Sequence, residues 1–159
     1  MDTQYAPLSD NELNTPEGAK KFLFITKIIH FALVMGLVMF GGVAVLVSAK
    51  QMSFTPDFSN PVIWVAVLGC IITIGLSFLM FPIYRKASPA PASPSTALRQ
   101  YQVMCLMRWA VIEGGALFSA VVFIISKNIL PLGLLAASVV YLISRYPSQK
   151  EFIEVTEKR

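Results

Sequence analysis

With 159 residues, 55% of them hydrophobic and only 14% charged, the chain is too apolar for an ordinary soluble domain. Its net charge of +4 invites a nucleic-acid or anionic partner. The basic residues, however, stand at the ends of apolar runs, where they mark membrane topology, and no nucleic-acid partner is expected.

Residues 1–14 are polar and aperiodic and read as a flexible cytoplasmic N-terminus. Thr15-Pro16-Glu17 is a helix start, with Thr as N-cap, Pro at the first helical position and an acid in the first turn. Four apolar runs follow, at about 22–48, 61–83, 103–126 and 128–145. A helix needs about 20 residues to cross the hydrocarbon core, which the first three runs exceed and the fourth, with Pro131 near its start, approaches. Strand alternation is absent, and an open sheet would leave backbone groups unpaired in lipid. The expectation is an all-α integral membrane protein of four transmembrane helices. The first run reads as an uncleaved span, because both its preamble and its length are wrong for a signal peptide.

The hairpins are expected at 15–86 and 99–145. They are joined by a Pro/Ser/Ala linker at 87–98 that has no means of forming a core. The outer loop holds Phe54 and Phe58, aromatics suited to the membrane interface. The tail, 146–159, carries Ser148 and Glu151 at capping-box spacing, which predicts a short amphipathic helix on the membrane surface. Eleven of the thirteen Lys and Arg residues lie on one side, before or in the opening turns of the first and third runs or at or beyond the ends of the second and fourth; only Lys50 and Lys127 lie opposite. Such a bias places both termini in the cytoplasm. With no organelle-targeting signal in view, a bacterial cytoplasmic (inner) membrane is the expected location.

Aligning the first and third runs at an offset of 78 superposes His30-Phe-Ala32-Leu-Val-Met35-Gly36 on Arg108-Trp-Ala110-Val-Ile-Glu113-Gly114. Phe40, Val43 and Ser48 also match Phe118, Val121 and Ser126, giving five identities over Phe31–Ser48. The pattern points to two duplicated helical hairpins related by a parallel pseudo-repeat. Each copy carries a small-xxx-small pair, Ala32/Gly36 and Ala110/Gly114. The third run adds Gly115 and Ser119, so a close packing of the first and third helices through these residues is expected.

Glu113 is the only acidic side chain in any apolar run. At a rise of 1.5 Å per residue it lies roughly 15 Å inside its run, where an ionised carboxylate must be neutralised, paired or wetted. Arg108 is five residues nearer the cytoplasm, about 140° round the helix, and is expected to snorkel to the headgroups rather than pair with it. The candidate companions are therefore His30, Thr73, Ser138 and Tyr141 on other helices. Three readings stay open: a proton, cation or small-solute site with His30 as relay or gate; a protonated carboxyl bonded across the helix contact; or a carboxylate facing a partner subunit.

No His/Cys/Asp/Glu cluster has metal-ligand spacing, the single histidine lacks triad companions, and no Gly-rich phosphate loop opens a helix. Neither catalysis nor a cofactor or metal is expected. Cys70 and Cys105 read as packing residues. The expected partners are the lipid bilayer and either a second copy or another membrane protein.

Overall fold

The computed structural model describes residues 9–149, all helix and short connections apart from one isolated bridge between Ser53 and Asn128. The predicted tail helix beyond Ser148 falls outside the described residues. The helices are α1 (Asp10–Leu13), α2 (Pro16–Ser48), α3 (Pro61–Ala87), α4 (Pro94–Ser126) and α5 (Ile129–Ser144). Each begins on the same local device, a side-chain oxygen that accepts one of the first unpaired N–H groups. Ser9 caps α1, Thr15 accepts from Gly18 N–H at 3.1 Å, and Asn60 accepts from Val62 N–H at 3.0 Å. Ser93 and Asn128 do the same for α4 and α5. In α2, α3 and α4 a proline follows the cap, where its missing N–H costs nothing.

Three helices, α2, α3 and α4, are long and apolar enough to cross a membrane. The fourth apolar helix, α5, has 16 residues and so measures about 24 Å.

Two boundaries differ from the sequence expectation. The segment before Thr15 is partly built in: Ser9 and Glu12 form a reciprocal capping box, and Leu13 is buried in the core. Asn14 accepts from the Ser95 N–H at 3.1 Å, which ties this turn to the start of α4. The linker is also shorter than 87–98. α3 runs through Ala87, and Ser93-Pro94 is itself a cap followed by a first-position proline, so Ser95, Ala97 and Leu98 already belong to the buried face of α4. A Pro/Ser composition reads as linker, yet two of its residues are a helix start.

α4 is the axis of the molecule and packs against each of the other helices, while α5 packs against α2, α3 and α4. The largest fully buried side chains include Trp109, Tyr101, Phe123, Leu98 and Ile112, all on α4. α2 buries Leu23, Thr26, His30, Val34, Leu37, Gly41, Ala44 and Ser48, the alternating three-and-four spacing of a helix that meets its neighbours along one seam. Its other faces present large apolar side chains such as Phe24, Phe31, Met39 and Leu46 outward.

α2 and α4 run in the same direction. At one end the turn before α2 bonds to the start of α4, and at the other Lys127 Nζ donates to Ser48 Oγ at 3.4 Å. That far end is closed by the 49–60 loop: Ser53 N–H donates to the Lys127 carbonyl at 2.8 Å, and Asn128 Nδ2 donates to the Asp57 carbonyl at 2.8 Å. Lys127 itself takes the left-handed conformation, φ 56°, that ends α4. Phe54 and Phe58 on this loop are exposed, and Trp64 Nε1 donates to the Phe58 carbonyl at 3.1 Å.

The small residues pack differently from the expectation. Ala32, Gly36, Ala110 and Gly114 are all exposed, and a Cβ at Gly36 or Gly114 would meet nothing within 4 Å. Ala110 and Gly114 each stand two residues from buried Ile112, which turns them about 160° from it and away from the bundle. The close approaches are made elsewhere. Gly115 admits the Thr73 side chain of α3, Gly41 admits Leu135 of α5, and Ser119 is fully buried with its hydroxyl donating to the Gly115 carbonyl at 2.9 Å.

These contacts set a contrast between adjacent glycines. Gly115→Ala places a methyl into Thr73 and is expected to destabilise the bundle by about 1–3 kcal/mol. Thr73→Ala is expected to restore part of that loss, and Gly114→Ala to be neutral or slightly stabilising. Unfolding of the purified protein in detergent by denaturant titration measures all three. At the N-terminal turn, the Ser9 backbone N–H and then its hydroxyl hold the Glu12 carboxyl below the usual carboxylate range. A depressed folded-state pKa means the capping box contributes above the ordinary Glu pKa and is lost as pH falls through the lowered value. Hydrogen exchange at the Ser9 amide is expected to stay slow through the ordinary carboxylate range and to accelerate only below it, and the slow exchange should vanish in Glu12→Gln.

Candidate functional site

Glu113 lies on the flank of α4 that turns towards α2. Gln102 stands eleven residues earlier, three helical turns and therefore the same flank, and its Nε2 donates to Thr26 Oγ1 of α2 at 3.4 Å. Trp109, one turn before Glu113, meets His30 of α2 edge to face at 4.7 Å. Glu113 is half-buried on this flank, and its carboxyl has no hydrogen bond or ion pair to any described residue. The one ion pair among the described residues is Arg99–Asp10 at 2.9 Å, on the exposed surface.

The two rings one turn away are committed to another task. His30 Nε2 donates to the Leu142 carbonyl at 2.9 Å, which requires the proton on Nε2. Trp109 Nε1 donates to the Arg145 carbonyl at 3.3 Å. Both acceptors lie at the end of α5, beyond the regular ladder; the Leu142 carbonyl also accepts from the Arg145 backbone N–H at 3.0 Å. A helix C-terminus is also the end that favours a donor or a cation. Tyr146 packs on His30 at 5.7 Å, and the Lys27 ammonium sits 5.3 Å from the centre of the Tyr146 ring. So the structure places His30 as a cap for α5 rather than beside Glu113. Arg108, expected to snorkel outward, is only 6% exposed and has interactions of its own in this end of the bundle.

Thr73, Ser138 and Tyr141 lie on the other side of α4. Gly115 meets Thr73, and Gly115 is about 160° round the helix from Glu113. Thr73 Oγ1 donates to the Cys70 carbonyl at 3.0 Å, and Ser138 Oγ donates to the Leu134 carbonyl at 2.9 Å while facing Cys70 Sγ at 3.5 Å. Tyr141 Oη shares a 2.9 Å hydrogen bond with Ser77 Oγ and accepts from the Arg145 guanidinium at 3.3 Å. That guanidinium is stacked over Phe78 and Tyr141, 4.9 and 5.0 Å from the ring centres. These groups form a polar seam between α3 and α5, the kind of hydrogen bonding that joins apolar helices.

The candidate residues therefore separate: Glu113 alone on the α2 flank, His30 and Arg108 in the bundle end, Thr73 on the α3–α4 contact at Gly115, and Ser138 and Tyr141 in the α3–α5 seam. Trp109, Ser77 and the Leu142 and Arg145 carbonyls belong to these sites and were not singled out from the sequence. An indole N–H inside an apolar run is a polar group that must find an acceptor, and that signal was available at Trp109. Cys70 and Cys105 are both buried, and among the described residues no three His, Cys, Asp or Glu side chains converge on a metal position.

Removing a cap donor tests this assignment. Trp109→Phe keeps an aromatic ring, though a smaller one, and loses the N–H to Arg145; His30→Leu loses the N–H to Leu142, whose carbonyl keeps the Arg145 N–H at 3.0 Å. The first is expected to cost about 1–3 kcal/mol, from an unmet acceptor and lost volume, and the second about 0.5–1.5 kcal/mol, the net worth of one hydrogen bond. His30→Gln, which retains an amide donor, is expected to recover part of it. Denaturant unfolding in detergent reads the stability, and exchange of the α5 C-terminal amides shows whether the loss is local.

The chain matches no family model, no curated protein and no solved structure.

Proposed function

We propose that this protein is a non-enzymatic subunit or interaction protein of a membrane assembly, and that Glu113 lies on the contact with its partner. The observation that carries the reading is a half-buried carboxyl in the apolar part of α4 with no partner among the described residues. In lipid such a group is costly, so an isolated bundle of this shape is incomplete at that position. A second copy or another membrane protein supplies what is missing.

In this reading α5 is the fourth span. Its start is tied to the 49–60 loop beside Ser48, and its end is capped by His30. Between His30 and Ser48 α2 rises about 27 Å, so α5 covers nearly the same depth as that stretch of α2. Both termini face the cytoplasm by the distribution of Lys and Arg, and the bacterial inner membrane is the proposed location. The duplicated hairpin is supported by the shared direction of α2 and α4. His30 meets Trp109 and Ser48 meets Lys127, an offset of 79 at both levels, within one residue of the sequence repeat.

Transport of a proton, cation or small solute through Glu113 is the second reading, favoured by the same unpartnered carboxyl. The hydroxyls expected to continue a path from it lie across α4, Thr73 against Gly115 and Ser138 and Tyr141 in the α3–α5 seam, which is why the subunit reading is preferred. Glu113→Gln and Glu113→Leu in the native membrane separate the two. Blue-native electrophoresis and in-membrane crosslinking are expected to show a complex larger than the monomer, weakened by roughly tenfold in the Glu113→Leu variant, in line with about 1–2 kcal/mol for an interhelical polar contact. Intact assembly in both variants, together with loss of a proton or cation flux into vesicles, would overturn the subunit reading.

A further inference from the structure

We infer that the partner seated over Glu113 is a transmembrane helix of a different protein, carrying a lysine or arginine at mid-depth. This rests on the subunit reading above and names the chemistry of the partner.

Charge complementarity carries the inference. Glu113 stands roughly 20 Å from the Ser126 end of α4 and roughly 28 Å from the Pro94 end, so a partner group must meet it within the apolar layer. The described cations of this chain are at other levels or already engaged. Lys27 lies over Tyr146, Arg145 is stacked on Phe78 and bonded to Tyr141, and Lys127 bonds Ser48 at the far end. His30 donates to Leu142, and Arg108 is buried with interactions of its own. A second copy inserted in the same orientation carries these groups at the same depths. It would set a second carboxyl against the first instead of a cation. A foreign helix with one basic side chain removes the mismatch, because the two buried charges neutralise each other and each loses the cost of standing alone.

The surface beside Glu113 suits an approaching helix. Gly114 of α4 and Gly36 of α2 are exposed, with open space where a Cβ would stand. Ala110 and Met35 are exposed next to them. With little side chain in the way, a partner backbone can come close enough for a lysine or arginine stem to reach the carboxylate from along its own helix.

The test uses the full chain, donor-labelled at its C-terminus and reconstituted in phosphatidylcholine vesicles. The probes are acceptor-labelled Leu-rich peptides of about 21 residues, long enough to span. One has a single central Lys, one a central Gln and one only Leu. Energy transfer is expected to show the Lys peptide binding about tenfold more tightly than either of the others. The preference should disappear in Glu113→Gln and persist in Gly133→Ala, an exposed position on α5 with open space for a methyl. Equal binding of all three peptides, or a Lys preference that survives Glu113→Gln, would overturn the inference. Binding of the Gln peptide as tight as that of the Lys peptide, and dependent on Glu113, would mean a neutral carboxyl acting as hydrogen-bond donor and would also overturn it. So would Glu113-dependent transfer between donor- and acceptor-labelled copies of the chain, which would make a second copy the occupant. If the Lys peptide is not preferred while Glu113→Leu still breaks the native complex, the subunit reading stands and the cationic helix is excluded.

Discussion

A helix that ends against apolar neighbours must find donors for its last carbonyls, and the bundle is arranged around that requirement at α5. His30 of α2 and Trp109 of α4 each send one ring N–H to the end of α5, at Leu142 and Arg145. The two rings touch each other, so α2, α4 and α5 meet at one point. His30 and Trp109 are themselves buried, so these bonds are shielded from competing water. A shift of any one of the three helices along its axis would break at least one of them.

The opposite end solves the same problem with backbone and amides. Ser53 and Asn128 stitch the 49–60 loop to the turn between α4 and α5, and Asn128 also caps α5. The 16-residue helix is thus held at both ends by groups from other elements. Along its length the α3–α5 seam adds Ser77–Tyr141 and the Cys70–Ser138 contact. Polar groups inside the bundle are accordingly spent on joining helices. Glu113 is the exception. It lies off the seam and away from the caps, on a flank where the neighbouring small residues look outward. That separation is the reason the proposed partner is placed over Glu113.

The apparent pairing of Glu113 with nearby polar residues illustrates how little depth alone says about contact. Thr73 and Ser138 lie near its level on other helices. Two residues along α4, from Glu113 to Gly115, turn the helix about 160° and reach the face that meets Thr73. The proposed repeat adds a second contrast: it sets Met35 against Glu113, and Met35 is exposed. α2 and α4 share a direction, but only α4 carries a charge at that level.

Length, hydropathy and capping chemistry were local properties, and they were legible. Thr15-Pro16 starts α2 as expected, the long apolar runs became helices, and the odd carboxyl was visible as the one acid among them. Ser93-Pro94 carried the same start signal but was hidden by the proline- and serine-rich composition around it. What the sequence left open was azimuth: which side of each helix meets which neighbour. Hydrophobic periodicity cannot report it when lipid is as apolar as the core, so small residues at Gly114 and Gly115 look alike until the bundle turns one outward and the other onto Thr73. For the same reason only tertiary structure decided that His30 caps a helix end and that Glu113 stands apart from every polar group first matched to it.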